Sequence, residues 1–140
     1  MKILVAVDGS SFTKRMLAYL TAHDEFPGRG HDYTVLHTVP PVPPRAAAVL
    51  DKATLESYYQ DEAEKVFKPI RTFLMKQGLE AKFVHKVGHA AETIAAYAEK
   101  GKFDLMVMGS HGHGSLTNLV MGSVATKVLA KCSVPVLLVR

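Results

Sequence analysis

The chain has 140 residues, 48% hydrophobic and 21% charged, with a net charge of +4, which suits one hydrophobic core and argues against disorder. No apolar run reaches the ~18–20 residues of a membrane span, and Met1-Lys2-Ile3 goes straight into a strand without the parts of a secretory leader. The basic residues are scattered with no nucleic-acid reader motif, so neither membrane nor nucleic acid is expected as a partner, although the mild positive charge favours a polyanion.

In chain order, residues 2–8 are apolar and β-branched and read as a buried central strand. Ser10 or Ser11 can cap a helix whose apolar stripe includes Phe12, Met16 and Leu20, closed by Pro27-Gly28-Arg29-Gly30. Residues 32–39 form a second strand, with His37 expected to be a structural residue. Pro40-Pro41-Val42-Pro43-Pro44 follows as a stiff loop, long enough to cover a site. Leu55, Tyr59, Ala63, Val66, Ile70 and Leu74 mark one face of a long helix, which Pro69 should kink or break and Gly78 closes.

Ala81, Phe83, His85 and Val87 alternate with Lys82, Val84 and Lys86, the pattern of an edge strand. Ala91, Ile94, Ala95 and Ala98 mark a third helix, stopped near Gly101. Residues 103–108 read as a fourth strand, 123–131 as a fourth helix and 134–139 as a fifth strand. The single cysteine, Cys132, excludes an intramolecular disulfide and fits a cytoplasmic protein, with the thiol a small buried residue.

Strands alternating with helices imply an α/β fold, a parallel sheet with helices on both faces. No repeat or second-domain boundary appears, so a single domain over 1–140 is expected and a tandem form is not. In open α/β sheets, ligands sit beyond the carboxyl ends of the strands, where the strand order reverses. The first and fourth strands each end in a Gly/Ser turn. If they are neighbours, Asp8 and Gly109 face each other across that crevice.

The richest segment is Gly109-Ser110-His111-Gly112, followed nine residues later by Gly122-Ser123 and the helical pattern of Val124, Val128 and Leu129. Glycines let the backbone approach a phosphate closely, and free N–H groups at a helix start favour negative charge. The spacing G-x2-G-x9-G-[ST], with the opening Ile3-Leu4-Val5-Ala6-Val7-Asp8-Gly9-Ser10 and the closing Ser133-Val134-Pro135-Val136-Leu137-Leu138-Val139, resembles the universal stress protein family along essentially the whole chain. That resemblance implies an open, Rossmann-like five-stranded parallel sheet of order 3-2-1-4-5 and an ATP-binding site.

By the same resemblance, Ala6, Thr38 and Met108 border adenine and ribose. Gly109, Gly112, Gly122, Ser123 and the Val124 N–H surround the phosphates. Asp8 lines the site, either accepting from ligand hydroxyls or holding Mg²⁺, which prefers oxygen ligands and few protein groups. Read from the residues alone, Asp8 could instead only shape its turn, Ser123 could be a plain N-cap, and the glycines ordinary turn residues. His111 and His113 are expected as exposed loop histidines, with a phosphate contact from His111 the lesser reading.

Two positions depart from the family. Ala125 stands where a hydroxyl residue is common, and Ala90 where the turn has proline.

The chain has no Walker motif, no dinucleotide fingerprint and no nucleophile elbow. No carboxylate or lysine besides Asp8 is placed for phosphoryl transfer, so binding is better supported than catalysis. The readings are a cytoplasmic ATP-binding stress-response or signalling module with a regulatory protein partner, a slow Mg-dependent ATPase, or a nucleotide-free interaction protein. The apolar last strand, 134–139, would be an aggregation hazard unless covered. A homodimer pairing that strand about a two-fold axis is expected.

Overall fold

The computed structural model describes residues 1–23, 25–26, 30–113 and 120–140. Strands β1 (Lys2–Ala6), β2 (Asp32–Val39), β3 (Lys82–Val87), β4 (Leu105–Gly109) and β5 (Val136–Val139) alternate with helices α1 (Ser11–Ala22), α2 (Pro44–Ala47), α3 (Lys52–Lys76), α4 (Ala90–Lys100) and α5 (Ser123–Lys131). The strands pair in parallel as one sheet of order β3-β2-β1-β4-β5. This is the predicted order, and it makes β1 and β4 central neighbours.

The apolar run of β1 follows from that position. Ile3 and Val5 face one core, with Met16 and Leu20 of α1 and Phe67 and Ile70 of α3. Leu4 and Ala6 face the other, with Ile94 and Ala98 of α4 and Val128 of α5. A strand covered on both faces has no polar side to show. β3 lies at a sheet edge and exposes Lys82 and Lys86, the charged edge that discourages pairing with another chain.

Several expectations change in detail. β1 stops at Ala6 because the chain turns at Asp8, although Val7 N still donates to Leu36 O at 2.9 Å. β4 starts at Leu105. Phe103 is buried outside the strand, stacked near Tyr97 with ring centroids 5.8 Å apart. β5 starts at Val136 because Pro135 has no N–H to give; only its carbonyl joins the ladder, accepting from Met106 N at 2.8 Å.

Pro69 does not break α3, which runs for 25 residues. The lost hydrogen bond is outweighed by the buried anchors Phe67, Ile70 and Leu74 on either side of it. Asp51 starts that helix, accepting from Thr54 N at 2.7 Å. Ser10 occupies the N-cap position of α1 without a side-chain capping bond.

The proline-rich segment is partly helical rather than a bare loop, since Pro44 opens α2, and Val42 N donates to the Tyr59 hydroxyl at 2.8 Å. Cys132 is half-buried, not buried, and its partial burial raises the thiol above its ordinary range. α1 ends at Ala22 with His23 as its C-cap, ahead of the expected stop at Pro27-Gly28-Arg29-Gly30, of which residues 27–29 lie outside the described residues. No helix among the described residues is long and apolar enough to cross a membrane.

Candidate functional site

The register Ala6↔Met108 sets the ends of β1 and β4 side by side. Asp8 leaves the end of β1, and the following turn is built on its carboxylate. Asp8 Oδ1 accepts from Ser10 N at 2.9 Å and from the Thr13 hydroxyl at 2.9 Å, and Asp8 N donates back to Thr13 Oγ1 at 3.1 Å. Burial pushes the Asp8 carboxyl up, but hydrogen bonds from Ser10 and Thr13 and the adjacent His113 ring outweigh it. The group is held below its ordinary value and is anionic at neutral pH. The turn-shaping and site-lining readings of Asp8 therefore coexist: Oδ1 holds the turn, while Oδ2 faces Gly112, where any Cβ would collide with it.

From the end of β4 the chain closes a loop on itself. Ser110 N donates to Val139 O at 2.9 Å, and Gly122 N donates to Ser110 O at 2.7 Å. Gly122 is packed against that closure, since a Cβ there would lie 3.1 Å from His111 Cα and 3.2 Å from Ser110 O. Gly122 is the N-cap of α5, not Ser123, which is the first helical residue and exposed. Among the described residues, no side chain caps α5, and no acidic residue lies in its first turn. The N–H groups of that turn and the positive end of the helix dipole are left for solvent or an anion.

These elements enclose a cavity of ≈550 Å³, within the usual range for small-molecule sites. Ala6, Asp8, Thr38, Met108, Gly109, His111, Gly112, Gly122, Ser123 and Val124 all border it, so every residue singled out from the sequence reaches one place. The two departing positions, Ala90 and Ala125, are also in its wall. The hydroxyl next to Ala125 offers no substitute, because Thr126 Oγ1 donates back to Gly122 O at 2.9 Å. Pro40 borders the cavity too, so the proline-rich segment reaches the site at one residue.

Thr13, which is 4% exposed and fixes Asp8, belongs to none of the motifs in the sequence. Its signal was its spacing, five residues after Asp8 in the first turn of α1. Of the two loop histidines expected to be exposed, His113 is and His111 is not. His111 is half-buried, with its ring centroid 4.9 Å from that of Phe12 and a 2.9 Å hydrogen bond between its Nδ1 and Ser110 Oγ. His113 is exposed, yet its Nε2–H donates to the Asp8 main-chain carbonyl at 2.7 Å and ties the glycine loop to the β1 turn.

His37 is structural as expected. Its Nδ1–H donates to Val7 O at 2.8 Å, and its ring meets Phe67 edge-on; it also borders the cavity. Among the described residues, no group of three or more His, Cys, Asp or Glu is gathered for a metal. A magnesium ion held mainly by ligand phosphates does not require one.

A sequence model described as the universal stress protein family matches residues 1–140. The chain is 35% identical to a universal stress protein of Thermus aquaticus over 138 residues, covering 99% of this chain and 97% of that protein. It is 36% identical to a universal stress protein of Synechocystis sp., covering 99% of this chain but only 42% of the longer relative. Among solved structures, protein MJ0577 of Methanocaldococcus jannaschii superposes with a TM-score of 0.80 at 28% identity, covering 99% of this chain and 94% of that one.

A universal stress protein of Archaeoglobus fulgidus solved with dAMP shares the fold at a TM-score of 0.70 and 22% identity, covering 100% of this chain and 98% of that one. A family protein of Arabidopsis thaliana solved with AMP does so at 0.70 and 15%, covering 99% and 90%. With the family's sequence pattern spanning the chain and its sheet order reproduced, this protein belongs to the universal stress protein family.

Proposed function

We propose that this protein is a cytoplasmic ATP-binding module of stress response or signalling, in which nucleotide occupancy sets the affinity for a regulatory protein partner. The observation that carries the reading is the convergence of all ten sequence-selected residues on one cavity at the switch point between β1 and β4. The phosphates sit against the Gly109–Gly112 loop and the open N-terminus of α5, where backbone N–H groups meet a positive dipole end. Ala6, Thr38 and Met108 flank adenine and ribose. The dAMP and AMP complexes of distant relatives support an adenine nucleotide.

Asp8 fits Mg²⁺: its carboxylate is ionised, and only Oδ1 is committed to the turn. The ion would neutralise phosphate charge. Control of a partner follows if that partner prefers one nucleotide state, since coupling is a difference in affinity between states. The apolar strand β5, which lies at the sheet edge, pairs with its copy in a homodimer through residues 134–139.

The test is to denature freshly purified protein and identify any released nucleotide by mass spectrometry, then titrate the emptied protein calorimetrically with Mg-ATP. Released ATP, or micromolar binding, supports the reading. An empty protein that ignores Mg-ATP overturns it.

A further inference from the structure

The two faces of the sheet are covered differently. On one, α4 packs directly on α5; on the other, among the described residues, α1 and α3 share a core without comparable helix–helix packing. Between them lies a second cavity of ≈500 Å³. Protein interiors are normally packed to crystal-like density, so an apolar gap of this size leaves its walls without partner atoms.

The gap has a direction. Helices α1 and α3 both follow parallel strands and cover the same face, so they run the same way. The end near the β1 turn is polar, with Thr13, Lys14 and Lys65 there; one to two turns further along, the walls are Leu17, Ile70 and Phe73.

The charges at the polar end are unequal. Lys65 Nζ is already paired with Glu62 Oε1 at 2.7 Å. The Asp8 carboxylate is engaged by Ser10 and Thr13 and faces Gly112. His113 gives its Nε2–H to the Asp8 carbonyl. Lys14 is exposed, and no hydrogen bond or ion pair of its ammonium occurs among the described residues.

We propose that this cleft between α1 and α3 binds an amphipathic molecule with an unbranched apolar tail and a carboxylate head. The tail lies along Val66, Pro69, Ile70 and Phe73, and the head meets the Lys14 ammonium. The cleft is separate from the nucleotide cavity, with which, among the described residues, it shares Asp8, Thr13 and His113 as a common wall, and the proposal does not depend on the nucleotide reading.

The test titrates the full chain with the alkanoates from hexanoate to dodecanoate, each below its micelle-forming concentration, and follows methyl NMR signals. The Kd should fall about fourfold per added methylene while the tail is still being buried, then stop falling once the tail reaches the Phe73 end. The methyls of Leu17, Val66 and Ile70 should move most. Decanol should bind about two- to fivefold more weakly than decanoate, and Lys14→Gln should abolish that preference while leaving decanol affinity unchanged.

The proposal is overturned by no saturable binding; by affinity that rises through the series without a plateau, as in surface adsorption; by shifts centred on other methyls; or by a carboxylate preference that survives Lys14→Gln. Signals of the cleft that move with protein concentration instead of decanoate would assign it to contact with a second copy, and would likewise overturn it.

Discussion

Replacing Gly122 with valine tests the phosphate site most directly. The backbone there has φ −77° and ψ 168°, which any L-residue adopts, so valine brings no backbone strain. The difficulty is space. A Cβ would stand 3.1 Å from His111 Cα and 3.2 Å from Ser110 O. Those atoms are held by the 2.7 Å bond from Gly122 N to Ser110 O and the 2.9 Å bond from Ser110 N to Val139 O.

The loop must therefore shift by a few tenths of an ångström. Overpacking of this kind costs about 1–3 kcal/mol, which lowers Tm by about 3–5 °C per kcal/mol for a chain of this size. The variant remains folded. Nucleotide binding suffers more, because the shift displaces the N–H groups at the start of α5 and two methyl groups enter the phosphate space. Losing two charge-assisted hydrogen bonds at about 1.5 kcal/mol each gives about 3 kcal/mol, or roughly 150-fold in Kd. Calorimetric titration with Mg-ATP reads the affinity, and thermal melting confirms the fold. Gly122→Ala, which adds the Cβ without the branches, should fall between wild type and valine. A folded valine variant with wild-type Mg-ATP affinity refutes the placement of phosphates at this helix start.

Thr13→Val removes the two hydrogen bonds between Thr13 and Asp8, leaves the one from Ser10 N, and should cost about 1–3 kcal/mol in urea unfolding near pH 7. Because the folded-state pKa of Asp8 is lowered, its stabilising contribution is present above the ordinary carboxylate value and is lost as pH falls through the lowered one. The gap between wild type and variant should therefore shrink in acid, and a gap independent of pH would exclude the Asp8–Thr13 pair as its source. Ala125→Ser restores a hydroxyl to the cavity wall at a residue 2% exposed, and should tighten Mg-ATP about tenfold through one bond to a charged oxygen; an unchanged Kd would place the phosphates elsewhere. Light scattering at tens of micromolar should give twice the 15.3 kDa chain mass. A monomer mass would refute pairing through β5.

The order of elements was legible because each carries its own local signal. The alternation in β3, the apolar stripe of α3 and the glycines around α5 depend on residues close together in sequence. The uninterrupted apolar run of β1 already required a strand covered on both faces. Strand ends were less legible, because they depend on partners. Val7 leaves the strand where the Asp8 turn begins, and Pro135 stays out of β5 because it has no N–H, leaving only its carbonyl to accept from Met106 N.

Pro69 reads as a breaker locally, yet burial of Phe67, Ile70 and Leu74 carries α3 through it. Tertiary burial outweighs a single missing N–H, and burial is not written in a local window.

For the site, the sequence by itself determined the residue types: glycines where backbone must come close, an aspartate at a strand end, a helix start without an acidic residue. Only the tertiary structure decided that they meet. Placing β1 beside β4 brings the Asp8 turn and the Gly109 loop together across about a hundred residues of chain. It also decided what Asp8 does with each oxygen, that Thr13 fixes it, and that His113 clamps one loop to the other. Hydrogen bonds between segments distant in sequence form only after the sheet has set their spacing. The sequence names the donors and acceptors, and the fold assigns the pairs.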